Sequence, residues 1–90
     1  MTNTGIDVAT TSTAILAANT KRRYAAIVND SDTAIYIALG AAAVVNAGIR
    51  LNASGGSFEI LTHDMSSEAI NGIHGGTGTK RVTVVEDSWP

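Results

Sequence analysis

The chain has 90 residues, 44% hydrophobic and 16% charged, with a net charge of -2, a pI near 5.4 and no cysteine. That length accommodates one domain, since domains run to roughly 50–250 residues, and it excludes a two-domain enzyme. The missing cysteines exclude disulfides, thiolate metal sites and cysteine nucleophiles, and six basic against eight acidic residues leave no excess to neutralise phosphates, so no nucleic-acid partner is expected.

By surface scaling, a 9.2 kDa chain buries about 8,000 Å² on folding, roughly 60–65% of its unfolded surface, which is one modest core. Fourteen alanines and only four aromatic residues give that core little side-chain volume, a composition that points to association between copies. No run approaches the roughly 18–20 apolar residues of a membrane span, and the first residues lack the basic and apolar regions of a signal peptide. The expected location is a cytoplasm-like compartment, away from membranes.

Short apolar runs alternate with turn clusters every eight to twelve residues, which predicts an all-β chain: a small antiparallel β-sandwich or barrel with hairpins. Residues 1–11 hold only Ile6 and Val8 as apolar anchors and read as an extended N-terminal arm or an edge strand, 12–86 as the sandwich domain and 87–90 as a C-terminal tail. Strands are predicted over 13–17 and 24–28, joined by a polar loop in which Lys21-Arg22-Arg23 forms a short solvated basic run. Asn29 to Asp32 is a turn, because Asn and Asp side chains bond their own backbone.

The clearest strand follows, with Ile35, Ile37 and Leu39 on one face and Ala34, Tyr36 and Ala38 on the other. Residues 41–48 are ambiguous between loop, strand and a single helical turn. Ile49-Arg50-Leu51 and Phe58-Glu59-Ile60 flank Asn52 to Ser57 as a predicted hairpin, with Arg50 and Glu59 as its cross-strand pair. After a polar loop from Thr62 to Ser67, Ala69 to His74 and Lys80 to Glu86 flank Gly75 to Thr79 as a second predicted hairpin. In it Val82 and Val84 face inward, and Gly72 marks a bulge.

Residues with chemical potential do not assemble into a recognisable centre. Gly75-Gly76-Thr77-Gly78-Thr79-Lys80 lacks the Gly-Lys adjacency of a phosphate loop, and Arg81 stands where a dinucleotide motif needs its third glycine. His63 and His74 are the only imidazoles, and neither has a Ser and carboxylate in a triad-like relation, although Ser66 and Ser67 lie nearby in sequence. Two histidines without cysteine give no zinc spacing, and Asp30-x-Asp32 lacks the Gly and Glu of a calcium loop. Glu59 and Glu68 offer no glycosidase cleft on so short a chain. No metal, cofactor or catalytic residue is therefore expected.

One ordered series of motifs carries a resemblance. Asn29-Asp30-Ser31-Asp32-Thr33-Ala34-Ile35-Tyr36-Ile37 comes first, then Gly48-Ile49-Arg50-Leu51 with Gly55-Gly56-Ser57-Phe58-Glu59-Ile60, then Ala69-Ile70-Asn71-Gly72-Ile73 and Gly75 to Val82. The series, over residues 10–86, resembles small virion structural proteins of tailed bacteriophages. The resemblance implies a β-sandwich that decorates or cements the capsid by binding the major capsid protein, or alternatively one that roots a head or tail fibre or adheres to the host surface. It further implies a homo-oligomer, with a trimer favoured, on the virion surface after assembly in the host cytoplasm. Expected contact residues are Ile6 and Val8 of the arm, Lys21, Arg22 and Arg23 of the basic loop, and Trp89 of the tail, because aromatic residues and Arg anchor interfaces. In the alternative, loops 52–57 and 75–79 are the binding tips.

Overall fold

The computed structural model describes residues 1–60 and 67–90. The alternation of apolar and polar residues resolves into eight strands: β1 (Thr2–Val8), β2 (Thr13–Leu16), β3 (Arg22–Asn29), β4 (Ile35–Leu39), β5 (Ile49–Leu51), β6 (Ser57–Ile60), β7 (Ile70–His74) and β8 (Lys80–Ser88). They pair antiparallel in two four-stranded sheets, ordered β1-β8-β3-β6 and β2-β7-β4-β5. That is the strand order of an eight-stranded jelly roll, the double-sheet solution to covering two apolar faces at once.

The predicted inward rows form the core. Ile35, Ile37, Leu51, Ile70 and Ile15 from one sheet pack with Val8, Ala25, Ile27, Ile60, Val82 and Val84 from the other in a single cluster, with Ile6, Leu16, Leu39, Ile49 and Phe58 along its margin. These side chains are almost all β-branched, which suits the pleated, half-buried surface they occupy. The exposed surface of 4740 Å² is close to the roughly 4,900 Å² that scaling gives for a globular 9.2 kDa chain.

Of the two forms expected for the N-terminal segment, an arm or an edge strand, residues 2–8 take the second: β1 pairs with β8 through seven consecutive residues and forms the edge of its sheet. Three expectations are corrected. The chain beyond residue 86 is no free tail, since β8 continues to Ser88, which is in register with Arg22. Neither predicted hairpin forms. β5 pairs with β4 whereas β6 pairs with β3, and β7 pairs with β4 and β2 whereas β8 pairs with β3 and β1, so both glycine-rich loops cross between the sheets. Arg50 accordingly lies opposite Tyr36, and Glu59 opposite Ala26. The bulge lies in β2, between Ala14 and Leu16, and not at Gly72. Gly72 keeps register with Ile37 and is glycine because a Cβ there would run into Ile15.

Residues 40–48 form no helical turn and lie as a strap across the outer face of the β2-β7-β4-β5 sheet. Asn71 donates to the Ala41 carbonyl (2.7 Å), Tyr36 to the Asn46 side chain (3.0 Å), and the Ala43 amide to Ser12 (2.8 Å). Positive φ angles at Gly40, Asn46 and Gly48 turn the strap over and back.

Candidate functional site

Among the described residues three polar side chains lie in the interior, and each fastens loops together. Arg22 was expected in a solvated loop, but it heads β3 and is fully buried. Its Nε donates to Glu86 and its two terminal nitrogens donate to the Glu68 and Ala17 carbonyls, all at 2.9 Å. The run misled because β3 begins two residues earlier than its apolar pattern. A bulge between Arg22 and Tyr24 then turns the first guanidinium inward. Arg22 is thus a clasp for three segments and has no face to offer a partner.

Asn29 plays the same part at the other end. Its side-chain amide donates to the carbonyls of Thr33 (2.8 Å) and Leu51 (3.0 Å), while its oxygen accepts from the amide and hydroxyl of Ser31. His74 is fully buried, with Nδ1 accepting from the Gly76 amide (3.1 Å) and Nε2 against the Gly78 carbonyl (2.8 Å), so both ring nitrogens are occupied in shaping loop 75–78. His63, Asp64 and Ser66, together with most of the polar loop from Thr62, lie outside the described residues. Among the described residues no cluster of three metal-ligating side chains occurs and no cavity opens.

The surface is therefore where contacts are to be sought, and the fold divides the expected contact residues into two groups. Val8 is fully buried, so the fold uses it as a packing residue, whereas Ile6 lies half-buried at the margin of the core and keeps part of its surface open. Lys21, Arg23 and Trp89 come together at the end where β3 starts and β8 finishes. The Trp89 amide donates to the Lys21 carbonyl (2.7 Å), extending the β3–β8 ladder by one bond. The Arg23 guanidinium lies 4.9 Å from the centre of the Trp89 ring and binds Asp87 on its other side. That pairing holds the Asp87 carboxyl below its ordinary 3.8. Asn19 completes the corner, donating to Ser88 (2.8 Å) and accepting from the Lys21 amide (3.0 Å). Trp89 remains 47% exposed on this perch.

At the opposite end, loops 30–34, 52–56 and 75–79 converge. The Ser54 amide donates to the Ser31 carbonyl (2.8 Å), Lys80 pairs with Asp32 (2.8 Å), and Gly76 packs close to Thr33. The Lys80 bond lowers the Asp32 carboxyl from its ordinary value. On the outer face of β3, Tyr24 donates to Glu59 (2.6 Å), a bond that raises its phenol above 10.0.

Sequence reasoning found Trp89 and Arg23 separately and missed their stacking, because their adjacency depends on β8 pairing with β3 across 65 intervening residues. The chain matches no protein-family model, no curated protein and no solved structure.

Proposed function

We propose that this protein is a virion structural component of a tailed bacteriophage that decorates or cements the capsid by binding the major capsid protein as a homo-oligomer, and that its role is binding rather than catalysis. The observation carrying this reading is the Trp89 perch. A half-exposed indole held by a cation beneath it and a backbone bond behind it is ordered before any partner arrives. Binding through it therefore loses little conformational entropy. Buried Trp and Arg are the residues whose truncation most often costs an interface 2 kcal/mol or more, roughly thirtyfold in affinity. The motif order described above supports the same reading. So does the jelly-roll strand order, an architecture found in viral capsid domains, although a fold alone does not specify a function.

The test is co-sedimentation of the purified protein with capsid shells before and after expansion. Saturable binding in a lattice-matched ratio, weakened about thirtyfold or more by Trp89→Ala, is the expected result. Folded protein that never sediments with shells would overturn it. Weight would then move to a fibre root or host-surface adhesin, which the convergence of loops 30–34, 52–56 and 75–79 at one end of the sandwich favours.

A further inference from the structure

Each sheet has two edges, and β2, β5, β6 and β1 occupy them. Open edges are templates for unwanted pairing, and proteins blunt them with shortness, charge, bulges or proline. Three of the four are blunted here. β2 has four residues and a register break, β5 has three residues with exposed Arg50, and β6 has four with exposed Glu59. β1 is the exception. It has seven residues in unbroken register with β8, contains no Lys, Arg or Pro, and carries Asp7 as its single charge. Thr2 through Gly5 are exposed.

We infer that the free edge of β1 is a self-association site, at which β1 of a second copy pairs antiparallel about a two-fold axis to join two β1-β8-β3-β6 sheets into one of eight strands. The occupant is argued from the strand's own sequence. Gly5 is the midpoint of Thr2–Val8, and since Val8 is fully buried, pairing centred on Gly5 engages Asn3 through Asp7. That register sets Thr4 against Ile6 of the second copy, both β-branched and both on the core-facing side, where the margin residue Ile6 gains cover. On the outer side Gly5 meets Gly5, and Asp7 meets Asn3, whose amide donates to the carboxylate. No like charges oppose one another. Gly5 also leaves room for the Arg81 side chain, which lies across it toward Asp7 (3.1 Å) and which a Cβ would displace.

A two-fold pair differs from the three-fold assembly expected from the sequence, and it stands or falls separately from capsid binding. The experiment uses the absence of native cysteine. In the double variant Asn3→Cys/Asp7→Cys, each new thiol faces its complement on the second copy at a Cβ separation of about 4.5–5.5 Å, near the range a disulfide spans. Within one chain the two positions are roughly 13 Å apart along an extended strand, too far to close. Mild oxidation should give covalent dimers and nothing larger, with neither single variant cross-linking. Sedimentation equilibrium of the unsubstituted chain should show a dimer. Asn3→Asp, which sets like charges opposite one another at two sites, should weaken it by about twofold to thirtyfold, while Asn3→Lys should tighten it.

A chain that stays monomeric at millimolar concentration overturns the proposal, as does a trimer, a ladder of higher cross-linked species, or a dimer indifferent to the charge at position 3. A monomer whose shell binding is lost on Asn3→Lys also overturns self-pairing, and assigns the edge to an extended segment of the capsid partner.

Discussion

Arg22 shows how one side chain substitutes for covalent stapling in a chain without cysteine. Its guanidinium joins residue 17, the approach to β7 at Glu68, and β8 at Glu86. Arg22→Ala removes the donor shared by the Ala17 and Glu68 carbonyls and leaves Glu86, which is partly exposed, with the longer bond from Asn19 (3.4 Å), so the expected loss is about 3 kcal/mol, the low end for breaking a buried pair, read from the urea midpoint. Arg22→Lys retains the charge without the planar fork and should recover only part of that loss. Asp87 and Asp32 make a separate prediction, through pH. Arg23 and Lys80 respectively hold their carboxyls below the unfolded value of 3.8, so their stabilisation is present above that pH and is lost as pH falls through the lower folded values. Urea midpoints between pH 6 and 2 should therefore fall below pH 4, and Asp87→Asn should make that decline shallower. An unchanged slope would show that Arg23 does not favour the ionised form.

The connections decide the fold at the scale of elements, and there the sequence is only partly legible. The period-two rows could be read directly: Ile35 and Ile37, and Val82 and Val84, face the core as their alternation predicts. Pairing partners could not be read, because a glycine-rich loop specifies a change of direction and does not specify which sheet receives the next strand. Leu51 and Ile60 point into the same core from opposite layers, a pattern that a hairpin would reproduce equally well. The Trp89 perch was hidden for the same reason. Only β4 and β5 are consecutive strands in one sheet, and the strap joining them carries the sharpest backbone requirement. Gly48 has φ of 83°, and a Cβ there would strike the Ile37 carbonyl of β4. Gly48→Ala should cost about 1–3 kcal/mol through the disfavoured φ and the clash, measured by thermal or urea unfolding. Asn71→Ala, by contrast, releases one exposed bond to Ala41 and should cost about 1 kcal/mol or less.

Among the described strands, six of the seven connections carry the chain from one sheet to the other. Thr2 pairs with Glu86 in the edge ladder and Arg22 with Ser88 in the central one, so the ends of the sequence meet in one sheet. Closing such loops costs entropy before any contact offsets it, which places sandwiches of non-local strands in the millisecond-to-second range of folding. Trp89 is the only tryptophan and lies on Arg23 at the β3–β8 junction, so its fluorescence reports the closure of the long loop between β3 and β8. Stopped-flow refolding should give one exponential phase in that range, with Trp89 fluorescence and far-ultraviolet circular dichroism coincident. The one proline is Pro90, the final residue and outside every strand, so no phase of tens of seconds from prolyl isomerisation is expected. Fluorescence that recovers in microseconds, before the dichroism, would show the perch forming independently of the ladder.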